Sequence, residues 1–488
     1  MKRTTVILRD SPPQRNAPTD TGVAFLAGLA QKGGTDSQGN PAVIALHSLD
    51  DFTSKLGARV SWSVDYDWVE TFFREGGQTV YYSRSYGPAG AKASANIAGT
   101  GTTLVITAKS SGDWANGATG GLTYAIVAGP SGGSYRQVVV YLNAVEVERT
   151  PEFLTTADAV TWSPSSTYVT LALGGGSGQP TVVGATNLTG GVDDHVNVTQ
   201  TQVDTALALI SPDLGPGQVC SPNWQTAAAH TSLLAHAAAN NRYALCDTTD
   251  TTSKSTLLSL AASDQGSVNG LYGSLLAPWL KITGTSAGTV RSVPPSAFVA
   301  AKCAETDASD GANQAPAGEH GKARSSLVLD VKATYVNQDQ LDLQDAGVDL
   351  IISRYGGVMF DGNRSLVEPL GNDSEWLQMS VCRQRMSIVA QLTVIGQSFE
   401  HVPITHRRLI RLHDAATAVF MAEELADHLF LDDNDTPGSG FVVDTDSVNT
   451  PDTATARQMW VATGFRPAPG AEFITFLLSL AQPNQSLA

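Results

Sequence analysis

Charge is scarce in this chain. Asp, Glu, Lys and Arg together make up 16% of its 488 residues, against about 25% in an average soluble domain. Neutral surface costs less to desolvate than charged surface, so much of the exterior suits burial against other chains. Cations are scarcer than anions: 30 Lys and Arg face 46 Asp and Glu, for a formal net charge of −16. Binding through nucleic-acid phosphates needs clustered Lys and Arg, so nucleic acid is not expected as a partner. The four cysteines, Cys220, Cys246, Cys303 and Cys382, are far apart and form no C-x-x-C pair. That spacing argues against a disulfide framework or a zinc site and for four separate thiols in a reducing compartment. No run approaches the roughly 18 apolar residues of a membrane span. The apolar run near the start, Val6-Ile7-Leu8, is too short for a signal peptide. The expectation is a protein made in a cytoplasm, with no membrane partner. No G-x-x-x-x-G-K-[ST] phosphate loop occurs, and no cofactor or metal is expected.

What is present is a sizeable apolar content, 42%, arranged in alternating patterns. Val23 to Leu29 and Val43 to Leu46 read as buried strands. Ser48 and Asp51 have the form of a capping box at the head of a short helix ending at Gly57. A second helix is predicted over 64–75, with Val64, Trp68 and Phe72 on one face, and a strand over 79–84. Alternating strands and helices indicate an α/β layer. From Gly87 to about Gly191 the chain is rich in Gly, Thr, Ser and Val, with short strand-like runs between turn residues. The α/β pattern then resumes, with helices predicted over 200–210 and 224–239 and strands over 242–247, 325–329 and 347–353. A helix is predicted over 413–430 near the end. The sequence is therefore read as α+β and multidomain. An N-terminal arm covers 1–20, an α/β core covers 21–86 and 192–370, a β-rich insert covers 87–191, and an α+β C-terminal unit covers 371–488 and ends in an extended β arm.

Both ends carry a β segment on a polar or Pro-rich lead. Val6, Ile7 and Leu8 precede Ser11-Pro12-Pro13, and Phe473, Ile474, Phe476 and Leu478 precede a polar tail. A lone strand has unpaired backbone groups and must find a sheet edge. Pairing with a neighbour would give a heterologous contact that propagates into an open helix. Pairing inside the same subunit is the alternative. The last unit also gathers Arg383, Arg385, Arg407, Arg408 and Arg411. They are candidates to face a partner, or else pair internally or form a solvated helix face.

Four stretches resemble the contractile tail sheath proteins of bacteriophages and phage-like injection systems. These are Asp51-Phe52 through Leu56-Gly57, Phe72-Phe73-Arg74-Glu75-Gly76-Gly77 running on to Arg84, Pro278-Trp279 followed by Val293-Pro294-Pro295-Ser296, and Gly357 through Leu366. Their order spans most of the chain. Gly362-Asn363-Arg364-Ser365 stands where the family has Ala-Arg-Thr, and the family's Pro-Gly-Val-Tyr opening is missing. The resemblance implies a non-enzymatic subunit that polymerises with itself as stacked rings around an inner tail tube protein. It implies baseplate and tail terminator proteins as further partners, a place in the virion tail, and terminal arms that join neighbouring subunits. It also implies an inner C-terminal domain that touches the tube, and part of the basic cluster is expected to face the tube there unless it pairs internally.

The competing reading is an α/β serine hydrolase. Gly284-Thr285-Ser286-Ala287-Gly288 matches G-x-S-x-G, with Ser286 as nucleophile. That chemistry needs a strand before and a helix after the serine; no helix pattern precedes Pro294-Pro295. Asp432-Asp433-Asn434-Asp435 lacks the Gly and Glu of a calcium loop and reads as an acidic turn.

Overall fold

The computed structural model describes residues 19–286, 288–354, 356–369 and 374–471. An eight-stranded sheet organises the core. Its order is Gly357–Phe360, Val348–Arg354, Gly273–Ala277, Tyr243–Asp247, Gln218–Cys220, Ala24–Gly28, Val80–Arg84 and Ile44–Leu46. The inner strands run parallel, and the outermost one at each edge is antiparallel.

Inner strands of a parallel sheet are covered on both faces and so become apolar throughout. Ala24–Gly28 is buried at every residue. Side chains alternate across the sheet. Ala24 and Leu26 join a cluster with Phe52, Trp68, Phe72 and Phe298, from the helices Leu49–Leu56, Asp65–Arg74 and Pro295–Ser309. Phe25 and Ala27 join the opposite cluster with Val203, Leu233, Leu257 and Leu343, from the helices Gln200–Ala208, Ala227–Ala239, Lys254–Asp264 and Asn337–Asp345.

The helix starts follow local side-chain chemistry. Ser48 Oγ accepts from the Asp51 amide at 3.1 Å, but the Asp51 carboxylate reaches back to the His47 amide rather than to Ser48, so only half of the box forms. Thr226 Oγ1 accepts from the Ala229 amide and moves the predicted start at 224 to Ala227. The 325–329 segment does not extend the core sheet. The Glu75 carboxylate accepts from the Arg324 and Ser325 amides and pins them as a loop. The strand forms later, at Val328–Val331, in a separate antiparallel sheet with Leu280–Thr283 and Val290–Val293.

Between the first and second halves of the core lies the β-rich insert. Ser94–Gly99, Gly101–Ala108 and Val169–Leu173 form one antiparallel sheet. Val183–Asn187, Leu122–Ala128, Arg136–Leu142 and Val145–Arg149 form another. The insert has its own core, with Leu104, Ile106, Ile126, Val138, Val140 and Phe153 in it. Asn143 and Ala144, with φ of 51° and 63°, make a two-residue turn of the twist that suits a hairpin. All four cysteines are buried and unpaired.

Candidate assembly surface of the C-terminal unit

Two long helices build this unit. Met379–Ser398 has two neighbourhoods. Its first turns, with Met379, Cys382 and Met386, pack into the core, and from its midpoint Ile388, Leu392 and Ile395 pack with Val419 and Phe420. The other helix, His406–Leu425, starts where Thr405 Oγ1 accepts from the Arg408 amide. It begins earlier than the predicted 413 and stops before Phe430. A short antiparallel hairpin, Phe441–Asp444 with Ala462–Phe465, closes the unit. Phe420 stacks on Phe441 with ring centres 5.4 Å apart, and Phe465 touches Phe420 and Trp376. Among the described residues, the two hairpin strands pair only with each other, so each presents an outer edge of backbone donors and acceptors.

The predicted basic cluster divides. Arg383 is not available to a partner. It has no exposed surface, pairs with Asp307, and lies 3.4 Å from the Cys303 carbonyl. Helical periodicity turns it into the core, an outcome that a count of arginines does not reveal. Arg385 is half-buried, with its guanidinium 4.3 Å over the Tyr272 ring and 3.1 Å from the Tyr272 hydroxyl. Arg407 and Arg411 are exposed and Arg408 is half-buried. Among the described residues none of these three has a carboxylate within 4 Å. They lie on the first two turns of the His406–Leu425 helix. Ile410 is exposed among them, and Met421 and Leu425 are exposed at the far end of the helix, so the outward face carries its cations at one end and is apolar at the other.

An apolar cavity of about 930 Å³ opens between the two helices and the hairpin, lined in part by Leu392, Ile395, Phe399, Leu412, Met459 and Val461. Sequence reading missed it, because its walls come from three segments that only the tertiary fold brings together. The arm candidates Val6, Ile7, Leu8, Phe473, Ile474, Phe476 and Leu478 lie outside the described residues. Just before the chain passes beyond them, Gly470 is tied to the Gln378 side chain by two hydrogen bonds, of 2.9 and 3.0 Å.

The chemical alternative finds no matching geometry. Ser286 sits on the exposed turn between the strands Leu280–Thr283 and Val290–Val293. A strand follows where a nucleophile elbow needs a helix. Asp432 accepts from the Asn434 and Thr436 amides and closes the acidic turn on itself. No group of three or more His, Cys, Asp or Glu among the described residues is arranged to hold a metal ion. No described helix is long and apolar enough to cross a membrane.

No protein-family model matches the sequence, and no curated protein matches it. Solved structures do. The sheath tail protein of Listeria innocua is similar at 15% identity and a TM-score of 0.64, over 93% of this chain and 97% of that one. The sheath tail protein of Desulfitobacterium hafniense is similar at 16% identity and 0.58, over 91% and 93%. The contracted helical sheath of the anti-feeding prophage is similar at 14% identity and 0.57, over 98% of each chain. This chain thus has the fold of the contractile tail sheath proteins.

Proposed function

We propose that the protein is a structural subunit of a contractile sheath. It polymerises helically around an inner tube and shortens to drive that tube through a cell envelope, without catalysis of its own. The observation that carries the reading is the length of the structural likeness: it runs over more than nine-tenths of this chain and of each sheath protein named above. The division into arm (1–20), core (21–86 and 192–370), insert (87–191) and C-terminal unit (371–488) is part of the proposal. So are the partners: further copies of the chain, an inner tube protein, and baseplate and terminator proteins at the ends.

The physical logic is as follows. The hairpin edges of the C-terminal unit are acceptors for an added strand, and Val6–Leu8 and Phe473–Leu478 are donors. Strand addition between copies keeps a lattice connected while its bodies shift. Contraction needs two packings that differ by about a few kcal/mol per subunit, with the extended one kinetically trapped. Arg407, Arg408 and Arg411 are the residues proposed to face the tube, where unpaired cations complement an acidic surface.

Negative-stain microscopy of the purified protein tests this reading. Long hollow cylinders are expected. Discrete particles with esterase activity that is lost in Ser286→Ala would replace it with the hydrolase.

A further inference from the structure

Two units joined by surface linkers are expected to move relative to each other unless their interface holds them. Here the chain passes from core to insert after Arg84 and returns before Gln200. The contacts at that crossing gather around two cations, Arg84 and Lys32, and the aromatic rings beside them. Arg84, the last residue of its core strand, is 3% exposed at its side chain, donates to the Ser111 carbonyl at 3.0 Å, and faces Asp193 at 3.5 Å on the returning linker. Its guanidinium also lies 4.8 Å from the Tyr86 ring centre. The Tyr86 hydroxyl is 2.7 and 2.6 Å from the carbonyls of Gly33 and Gly34, in the core loop after the first strand. That loop must approach closely: a Cβ at Gly34, where φ is +68°, would sit 2.8 Å from the Arg84 Cβ. From the same loop, Lys32 places its ammonium 5.5 Å from the Trp114 ring centre and 5.7 Å from that of Tyr168, both in the insert. On the far side, core Trp62 stacks on His195 at 4.0 Å, and His195 Nδ1 lies 3.3 Å from Asp193.

We infer that these contacts form a cation-centred clamp that fixes the insert on the core as one rigid body, with Arg84 as its hub. Arg84 is the element that reaches both crossings at once. It holds the outgoing side through Ser111 and Tyr86 and the returning side through Asp193. Lys32, in a cage of two rings, holds the insert along a second line, so rotation about Arg84 alone is blocked. A cation between aromatic faces keeps its attraction when shielded from water, and a planar guanidinium fixes direction as well as distance. Arg84 is a positioning residue, and no ligand is implied.

The test is a distance distribution in the full-length chain, spin-diluted with unlabelled protein. Spin labels go at Ser54→Cys on the core and Thr161→Cys on the insert, both exposed helix positions. The four native cysteines are buried and do not compete for label. The clamp predicts one narrow distribution in the parent and at least about twofold broadening in Arg84→Met and in Lys32→Met, since free units wander. Circular dichroism confirms that each variant is folded. If Arg84→Met does not fold, Asp193→Ala is read by the same criterion. A broad distribution in the parent overturns the proposal, and so does a distribution that stays narrow in the folded variants.

Discussion

Asp247 ends its strand against the first turn of the Pro295–Ser309 helix, where its carboxylate accepts from the Ser296 amide at 2.7 Å and from the Ser296 hydroxyl at 2.5 Å. Burial pushes its pKa up to about 7, against the pull of those hydrogen bonds. Asp65, which accepts from the Leu29 amide, Tyr82 and Asn223, is raised by burial to about 7 as well. A carboxyl raised in the folded state binds protons more tightly there than in the unfolded chain. Its contribution is therefore complete below its ordinary 3.8 and is lost as pH rises towards 7. Asp247→Asn removes this dependence at one site, so the variant gains stability relative to the parent as pH rises from about 5 to about 8. Thermal melts at both pH values check this, and a parent–variant gap that does not change with pH contradicts it. Arg383 gives a second prediction. Removing one member of a buried pair leaves the other uncompensated, so Arg383→Ala should cost about 3–5 kcal/mol in urea unfolding. Arg407→Ala, at the surface, should stay within about 0.5 kcal/mol.

Helices and strands in this chain were legible where local pattern and burial agree. Four inner strands of the main sheet announce themselves as apolar runs, whereas Gln218–Cys220 and Gly273–Ala277, short and set beside Gly and Pro, were not read as strands. The helix carrying Trp68 and Phe72 shows its buried face by spacing. Boundaries failed where a polar side chain decided them. Thr226 and Thr405 each shift a helix start, and the Arg-rich first turn after Thr405 hides the apolar period that begins at Leu412. Thr405→Ala should cost about 1 kcal/mol and speed amide exchange at residues 406–409, the turn that carries Arg407 and Arg408. Unchanged exchange there would mean that packing alone holds the turn. The Val328–Val331 strand was misplaced for a long-range reason: Glu75, some 250 positions away, fixes the loop before it. The order of the strands was not legible either, because it depends on which helices cover which face. Among the site residues, arginine clustering was visible in the sequence, but which arginines are buried was decided by tertiary packing.

At the scale of the molecule, an acidic body carries on one helix of its C-terminal unit a basic patch, Arg407, Arg408 and Arg411, with no carboxylate partner among the described residues. Reversing that patch, with Arg407→Glu and Arg408→Glu together, should weaken tube–sheath assembly. The parent complex should itself loosen as salt shortens the electrostatic range to about 8 Å at physiological strength and less above it. Co-sedimentation across a salt series reads both effects, and parent-like assembly by the double variant would remove the patch from the tube contact. The claim on which the whole account rests concerns the chain ends. A helical reconstruction of the assembled protein reads it directly. The account predicts density for Val6–Leu8 and Phe473–Leu478 running from each copy onto sheet edges of adjacent copies. Both segments folded back on their own subunit, or no filament at all, would contradict it.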